Sequence, residues 1–268
     1  MPCVFIMRYA VFAGVPGSGK TSLIKHVIEE LEGMDMHYAK FEVLQTDDDE
    51  LIAKRYKVSA EKLIAGDLCP DHYYALELPR VLKKHKDKDL VIVETAGLCL
   101  RCSPYIKGSL GVSVLDITTG KPSSYGPILT QADVVAINKG DLISQAEREI
   151  FRLAVADMNP DARIVETNGL TGEGAVDIAE AIRNMKEPSG HPVLKNTMPS
   201  SICGFCYGNR TLEEKATHDR FLKGKEIKAM VPNLNCGACG YKSCNDFIRA
   251  YLDGEAALEK CLYLKGKK

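Results

Sequence analysis

The sequence lacks an excess of charge of either sign, a long apolar run and an internal repeat. Its 268 residues contain 35 Lys and Arg against 36 Asp and Glu, so the composition gives no bias towards a polyanion such as nucleic acid. The first apolar stretch, residues 1–14, is too short to span a membrane and has no small-residue cleavage site. We therefore expect a cytoplasmic protein with neither a nucleic-acid nor a membrane partner.

Cysteine, in contrast, is abundant. The chain contains ten cysteines, a high number for a reducing compartment, where disulfides are rare. Eight of them form tight groups, which are Cys99/Cys102, Cys203/Cys206, and Cys236/Cys239/Cys244 with Cys261. Grouped cysteines in such a protein more often bind metal or take part in redox chemistry than form crosslinks.

Apolar segments alternate with amphipathic ones over the first two-thirds of the chain. Strands are predicted at Tyr9–Ala13, Tyr38–Leu44, Leu90–Val93, Val112–Ile117, Val134–Ile137 and Arg163–Glu166. Strands rich in Val and Ile, separated by helical patterns, predict a parallel sheet that is covered on both faces. We expect an α/β fold with a doubly wound, mainly parallel sheet in residues 1–185.

The rest of the chain predicts a second, smaller unit. Residues 186–201 are rich in Pro, Ser and other turn formers and predict a linker. Residues 202–268 hold six cysteines and little strand character. Because so few residues cannot build a large core, a domain of this size usually needs a metal or another crosslink. We expect a cysteine-rich domain here.

The segment GVPGSGKT, residues 14–21, follows a predicted strand and precedes an amphipathic helix, as a phosphate-binding loop does. Glycines let successive N–H groups surround the phosphates, and the helix N-terminus favours negative charge. Lys20 is expected to reach the β- and γ-phosphates, and the Thr21 hydroxyl to bind Mg²⁺. The residues expected around the phosphates are Gly14, Gly17, Ser18, Gly19, Lys20, Thr21 and Ser22.

The segment NKGD, residues 138–141, directly follows another predicted strand. The carboxylate of Asp141 can accept hydrogen bonds from the guanine N1–H and amine, which adenine does not offer. Asn138 can contact the other edge of the base, and the stem of Lys139 can lie over it. Thr167 and Asn168 end the next strand and can complete the pocket through backbone groups. This pattern favours GTP over ATP, and a purely structural turn is the alternative.

Residues 8–185 resemble the metal-insertion GTPases that mature urease and nickel–iron hydrogenase, and their relatives in cobalt metabolism. The similarity rests on GVPGSGKTSLI, Thr46-Asp47-Asp48, Cys69-Pro70-Asp71-His72, Glu94-Thr95-Ala96-Gly97, NKGDL, and Thr167-Asn168 with Thr171–Gly174. The resemblance implies a P-loop GTPase that is slow without a partner. It also implies delivery of metal to a client metalloenzyme or its maturation proteins, often through a nucleotide-dependent homodimer.

The same resemblance assigns roles in hydrolysis. Glu94 in place of Asp is a hallmark of this group, and it is implied to organise Mg²⁺ and the attacking water. Asp48 is a further acid that could position water or metal. Together with Lys20 and Thr21, these residues are the expected catalytic set.

A nickel or zinc site at Cys69 and His72 is also implied by the resemblance. The urease-type pattern is Cys-Pro-His, so Asp71 stands here as an inserted residue, and the His-rich tail of nickel-storing relatives is missing. Cys99 and Cys102 follow Gly97, in a segment expected to move when the γ-phosphate is lost. They would complete a four-ligand set, within one chain or across two. Simple burial, capping of a helix by His72 and a redox pair are the alternatives.

The motif CGACGYKSC, residues 236–244, is followed after sixteen residues by Cys261. Two close thiolates, a third after a short turn and a fourth returned by a helix over Asn245–Lys260 can surround a 4Fe–4S cluster. The pattern resembles the small 4Fe–4S domain of electron-transfer and corrinoid-protein subunits, with Cys236, Cys239, Cys244 and Cys261 as ligands. Structural zinc is the alternative, although four-cysteine zinc sites usually consist of two separated pairs. The role of Cys203 and Cys206 stays open.

The sequence therefore predicts a GTP-hydrolysing metallochaperone, or maturation factor, with an attached 4Fe–4S module. One alternative is a redox activator, in which nucleotide turnover gates electron delivery from the cluster to a corrinoid or other metalloprotein. Another is a non-catalytic iron–sulfur carrier that uses nucleotide only for docking. The delivered metal and the client are not specified by the sequence.

Overall fold

The computed structural model describes residues 8–66, 69–98, 100–186, 193–195 and 219–265. Its largest unit is a seven-stranded sheet in which all neighbouring strands are parallel. The strands are β1 Arg8–Ala13, β2 Met36–Glu42, β3 Ser59–Ile64, β4 Leu90–Glu94, β5 Leu110–Asp116, β6 Val134–Asn138 and β7 Arg163–Thr167. Their order is β3-β2-β4-β1-β5-β6-β7, so successive strands lie on both sides of β1. The predicted doubly wound α/β fold is confirmed.

Helices cover both faces of the sheet. They are α1 Lys20–Glu30, α2 Asp48–Tyr56, α3 Pro70–Lys84, α4 Pro127–Thr130, α5 Gln145–Met158 and α6 Ala175–Asn184. One apolar core joins the sheet to α3, α4 and α5, and includes Leu78, Ile128 and Val155. The other joins the sheet to α1 and α6, and includes Leu23 and Ile178. The central strands are therefore buried on both sides, which explains their Val- and Ile-rich sequences.

The apolar pattern of the sequence does not predict β3. This strand lies at the edge of the sheet and pairs with β2 alone, with His37 opposite Ser59. Its sequence SAEKLI has no fully buried residue. An edge strand of this kind needs no continuous apolar run, so its amino acids carry little strand signal.

The described part of the C-terminal region forms a separate small core. Its helices are α7 Asp219–Met230, α8 Cys244–Leu252 and α9 Leu262–Lys265. Ile227, Val231, Phe247 and Ile248 are buried together with two of the cysteines. The predicted helix over Asn245–Lys260 is wrong in its length. It ends at Leu252 because Gly254 adopts φ +78°, a left-handed conformation that stops a helix.

Three described residues of the predicted linker pack against the main unit. Leu194 is 3% exposed and forms an isolated antiparallel bridge with Ile106. The backbone N–H of Lys107 donates to the carbonyl of Val193 at 2.8 Å. This segment is therefore tied to the loop between β4 and β5. Among the helices that the structure describes, none is long and apolar enough to cross a membrane.

Glu61 connects the edge strand to its neighbours. Its Oε1 atom lies 3.1 Å from Nε2 of His37 on β2 and 3.1 Å from Nε2 of His85, which follows α3. Its Oε2 atom accepts a hydrogen bond from Lys84 Nζ at 2.9 Å. Burial, with a smaller contribution from His85, lowers the pKa of His37 to about 4. Burial alone would raise the pKa of Glu61, but Lys84 and the two histidines lower it below its ordinary value.

These shifts predict a loss of stability in acid. The unfolded chain protonates His37 below about pH 6.5, whereas the folded chain does so only near pH 4. The free energy of unfolding should therefore fall as pH decreases through this window, by at most about 3 kcal/mol. The depressed pKa of Glu61 acts in the same direction at lower pH. Urea unfolding between pH 7.5 and 4.5, with a chelator present, measures the slope.

His37→Gln should flatten that slope, and His26→Gln serves as the matched control. His26 is likewise paired with a glutamate, Glu29, at 3.0 Å, but its side chain is 25% exposed. A wild-type slope in His37→Gln would contradict the assignment of the acid sensitivity to this ring.

Candidate nucleotide and metal sites

The loop between β1 and α1 has the geometry of a phosphate cradle. Gly17 and Gly19 adopt φ of +78° and +91°, and a Cβ atom on Gly14 would lie 2.2 Å from the carbonyl oxygen of Val114. Ser18 is fully buried, and its Oγ atom has no hydrogen-bond partner among the residues that the structure describes. An unpartnered buried hydroxyl beside a helix N-terminus fits a bound phosphate group.

Lys20 points into this loop. Its Nζ atom donates to the carbonyl oxygens of Gly14 at 3.0 Å and Val15 at 3.1 Å. The residue is 6% exposed. Burial lowers its pKa, an effect that the nearby Glu94 opposes. The ammonium group therefore lies where phosphate oxygens can replace the two carbonyl partners.

Glu94, the last residue of β4, places a buried carboxylate beside the loop. It is 2% exposed. It accepts hydrogen bonds from Thr21 Oγ1 at 2.8 Å and from the Tyr38 hydroxyl at 2.6 Å. Burial, reinforced by the Glu94 charge, raises the pKa of Tyr38 far above its ordinary value, so the phenol remains a donor. Two expected catalytic residues, Thr21 and Glu94, are thus in direct contact.

Lys40 joins Glu94 to Asp48 and is a site residue that the motifs do not identify. Its Nζ atom lies 3.4 Å from Glu94 Oε1, donates to Asp48, and lies 3.2 Å from Thr21 Oγ1. Burial would lower the pKa of Lys40, but Glu94 and Asp48 raise it overall. Burial would likewise raise the pKa of Asp48, and Lys40 with Thr46 lowers it. A lysine in the middle of the buried strand MHYAKFE is the sequence signal that could identify this residue.

Gly97 brings the turn after β4 against the phosphate loop. A Cβ atom at this position would lie 1.7 Å from the carbonyl oxygen of Gly14 and 3.2 Å from Lys20 Nζ, and φ is +72°. The backbone N–H of Thr95 donates to Phe12 O at 3.0 Å. The segment that leads to Cys102 therefore begins in van der Waals contact with the loop.

The base side of the site is a pocket at the ends of β6 and β7. It is lined by Ile137, Gly140, Asp141, Arg148, Glu166, Thr167, Asn168 and Glu173. Asp141 is exposed there, with its carboxylate available to a ligand. Arg148 fixes the wall, since it donates to Gly140 O at 2.9 Å and lies 3.4 Å from Glu166. The structure therefore brings Asp141, Thr167 and Asn168 to one pocket.

Asn138 and Lys139 reach from β6 back to the phosphate loop. Asn138 Nδ2 donates to Ser18 O at 2.8 Å, and its Oδ1 accepts from Gly169 N at 3.0 Å. Lys139 Nζ donates to Gly17 O at 2.8 Å and to Asp116 at 2.5 Å. These side chains hold the phosphate loop and the base pocket in one arrangement.

Among the described residues, the expected nickel or zinc ligands Cys69, His72 and Cys102 do not form one compact set. Cys69 precedes α3, and its carbonyl accepts from the N–H of His72 at 3.1 Å. His72 is fully buried. Cys102 is buried and lines a small pocket with Asp71 and Gly97. Within the described ranges, no metal-like group with all ligand atoms within 4.8 Å includes these cysteines. Cys99 lies outside the described residues.

Asp71, which interrupts the Cys-Pro-His pattern, lines the same small pocket as Cys102. Its Oδ2 atom is buried and has no hydrogen-bond partner among the described residues. It lines the pocket that contains Cys102 and Leu98. A buried carboxylate oxygen without a partner fits a cation or a donor brought into that pocket.

The four cysteines of the C-terminal motif line a single pocket. They are Cys236, Cys239, Cys244 and Cys261. Gly237 and Gly240 adopt φ of +70° and +85°, which turn the chain beside the first two cysteines. Asn235 N lies 3.4 Å from Cys244 Sγ, in position to donate to it. The arrangement fits a group held by four thiolates, and Cys203 and Cys206 lie outside the described residues.

Comparisons with known proteins agree with both units. A sequence model of the CobW/HypB/UreG nucleotide-binding domain matches residues 8–166, and a model described as "Putative Fe-S cluster" matches residues 231–263. An uncharacterized protein of Methanocaldococcus jannaschii is 45% identical over 219 residues, covering 78% of this chain and 92% of that protein. Urease accessory protein UreG of Haloquadratum walsbyi is 29% identical over 189 residues, covering 63% of this chain and 91% of that protein.

Solved structures show the same fold. Hydrogenase maturation factor HypB of Archaeoglobus fulgidus gives a TM-score of 0.56 at 26% identity, over 66% of this chain and 89% of that protein. HypB of Helicobacter pylori, solved in complex with nickel, gives a TM-score of 0.52 at 19% identity. The match covers 66% of this chain and 86% of that protein. The latter similarity concerns the fold alone. The resemblance inferred from the motifs is confirmed.

The contact between Gly97 and the phosphate loop generates a prediction. Gly97→Ala should weaken GTP binding at least tenfold, or about 1.4 kcal/mol, because the added methyl group would push against Gly14 O and Lys20. Gly33→Ala is the matched control, since φ there is +95° and nothing lies within 4 Å of the added atom. Calorimetric titration with a non-hydrolysable GTP analogue measures both. Equal losses in the two variants would contradict the proposed contact.

Proposed function

The chain belongs to the CobW/HypB/UreG family of P-loop GTPases, and we propose that it couples its GTP cycle to delivery of a transition-metal ion to a client metalloenzyme or to that enzyme's maturation proteins. One observation carries the proposal. Gly97 touches the phosphate loop beside Lys20, and the same segment leads to Cys102, a buried thiol beside Asp71. Occupancy of the phosphate site can therefore act on potential metal ligands through one short segment.

Three of the expected catalytic residues, Thr21, Glu94 and Asp48, form one network through Lys40, which supports hydrolysis. Thr21, Glu94 and Asp48 supply oxygen donors, which suit Mg²⁺. When bound, Mg²⁺ supplies positive charge against the phosphate oxygens. Lys20 binds the β- and γ-phosphates, and Glu94 orients the Thr21 hydroxyl through the 2.8 Å hydrogen bond. Lys40 adds a buried positive charge beside both acids.

Recognition of guanine is assigned to the pocket at Asp141. Its exposed carboxylate can accept from the N1–H and the amine of the base. Asn138 and Lys139 already contact the phosphate loop, so we propose that they position this pocket relative to the phosphates. The backbone at Thr167 and Asn168 completes the wall.

The proposed cargo is nickel, with zinc as the second candidate. Relatives that carry the same domain are named for urease and hydrogenase maturation, and one HypB structure contains nickel. Thiolate and imidazole ligands suit both ions. Cys69, His72 and Cys102, with Cys99, are the proposed ligands. Because the described ones are not assembled within 4.8 Å, we propose that nucleotide binding completes the site, in a homodimer that brings two copies together.

The C-terminal unit, residues 202–268 after the linker 186–201, is proposed to hold a 4Fe–4S cluster. Four thiolates around one pocket support it. Sulfur ligands of a tetrahedral zinc ion lie about 3.8 Å apart, given Zn–S bonds of about 2.3 Å. Among the described residues, no three of these cysteines approach within 4.8 Å of one another. The match of residues 231–263 to an iron–sulfur family model supports a cluster rather than a single zinc ion.

Metal analysis of anaerobically purified protein tests this assignment. We expect about four iron and four sulfide per chain. Cys236→Ser should lose the cluster, whereas Cys69→Ser, outside the C-terminal unit, should retain it. Zinc in place of iron, with no sulfide, would contradict the cluster.

Nickel titration in different nucleotide states tests the proposed function. A non-hydrolysable GTP analogue should change the nickel affinity at least tenfold relative to GDP, about 1.4 kcal/mol of coupling. Cys102→Ser should abolish this difference and retain GTP hydrolysis, which also reports a folded domain. ATP in place of GTP is the nucleotide control.

Two results would contradict metal delivery. One is nickel binding in Cys102→Ser that matches the wild type in stoichiometry and nucleotide dependence. The other is a 4Fe–4S electron paramagnetic resonance signal that responds to GTP while no further metal binds. The second result would favour a redox activator in which GTP turnover gates electron transfer.

A further inference from the structure

Two histidines and a glutamate converge at a place remote from the phosphate loop. His37 lies at the start of β2, Glu61 on the edge strand β3, and His85 directly after α3. Their ligand atoms all lie within 4.8 Å of one another. Among the described residues, no other group of three or more His, Cys, Asp or Glu side chains has this spacing. Three different elements thus supply three metal-ligating side chains to one point.

We propose that His37, Glu61 and His85 bind a divalent first-row transition-metal ion such as Zn²⁺. Two imidazole nitrogens and one carboxylate oxygen are a ligand set that such ions accept, with a further position left for water. Both Nε2 atoms lie 3.1 Å from Glu61 Oε1. Ligands of a tetrahedral ion with bonds of about 2.0 Å lie about 3.3 Å apart, so these separations are close to those of a bound ion.

Contacts around the three side chains support the assignment. His37 Nδ1 lies 2.9 Å from Ser59 Oγ, and that hydroxyl lies 3.2 Å from Met36 O. Nδ1–H can therefore donate to Ser59 while Ser59 donates to Met36, which leaves the Nε2 lone pair directed at the ion site. Metal-bound histidines are commonly held by an outer hydrogen bond of this kind.

Glu61 is oriented by its second oxygen atom. Lys84 Nζ donates to Oε2 at 2.9 Å, which leaves Oε1 towards the two rings. The Lys84 side chain is 62% exposed, so its charge is solvated and free to move away from an incoming cation. His37 is 2% exposed and Glu61 25% exposed. The site is thus partly enclosed but open on the side of Glu61 and His85.

Metal binding requires one local adjustment. The rings of His37 and His85 stack at 3.5 Å with an angle of 11° between their planes. A histidine binds metal in the plane of its ring, so an ion cannot lie in both planes while the rings stay stacked. His85 follows the last residue of α3 and is the more exposed ring. We expect its ring to rotate out of the stack when the ion binds.

The site is independent of the proposed nucleotide cycle because it shares no residue with it. His85 lies at the opposite end of α3 from Cys69, and His37 lies at the end of β2 remote from Glu42. A bound ion would fasten the edge strand β3 to β2 and α3. A test of metal binding at His37, Glu61 and His85 is therefore independent of the result at Cys69 and Cys102.

Zinc titration of the full chain, in competition with a chromophoric chelator, tests the proposal. His85→Gln should lose one equivalent of Zn²⁺ or weaken its binding at least tenfold. His26→Gln should retain that equivalent. His85 is chosen because the buried His37 could disturb folding, and an unchanged melting temperature with chelator present confirms a folded variant.

Histidine NMR spectra give the second readout. Zn²⁺ should shift the ring resonances of His37 and His85 and remove the ring-current effect of their stacking, with no change at His26. Identical zinc isotherms for wild type and His85→Gln would overturn the proposal. So would equal losses in His85→Gln and His26→Gln, or a titration that leaves the His37 and His85 resonances in place.

Discussion

The buried carboxylate of Glu94 is the charge around which the nucleotide site is built. A buried charge is stable only with hydrogen-bond partners and a counter-charge. Thr21 on α1 and Tyr38 on β2 donate to it, and Lys40 lies 3.4 Å away. Lys40 in turn binds Asp48 at the start of α2. One carboxylate at the end of β4 thus fixes two helices and a neighbouring strand, and any cation that competes for it affects all of them.

The backbone contact at Gly97 connects this arrangement to the chain segment that leads to Cys102. The carboxylate of Glu94 and the contact of Gly97 with Gly14 lie only three residues apart on one chain segment. A side chain larger than hydrogen does not fit there, so the turn can follow movements of the phosphate loop closely. Cys102 lies five residues further on, in a pocket with the unpartnered Asp71 oxygen. In the proposed cycle, local repacking at the phosphates reaches this thiol without any large domain motion.

Most of the fold and part of the site follow from the sequence, and the exceptions share a cause. Apolar runs in the sequence predict buried strands such as Val134–Asn138, and the glycine pattern predicts the phosphate loop. The edge strand β3 does not, because half-buried residues give no such run. Lys40 and the contacts of Asn138 depend on which strands are neighbours, and that is set by the sheet order. The convergence of His37, Glu61 and His85, which are far apart in the chain, depends on the same order.

The two proposed single-ion sites differ in how much of each is already assembled. His37, Glu61 and His85 lie within 4.8 Å in one chain, whereas Cys69 and Cys102 belong to no such group in the described residues. The first site needs only a rotation of the His85 ring to bind its ion, and such a small cost of reorganisation suits an ion that stays. A site that must first be completed binds its ion more weakly, because the free energy of the rearrangement is subtracted from that of binding. If nucleotide binding contributes 1.4 kcal/mol to the rearrangement, the affinity for the ion changes about tenfold. Incomplete assembly is therefore the property that a delivery site needs, since the same nucleotide cycle can strengthen binding and then release the ion.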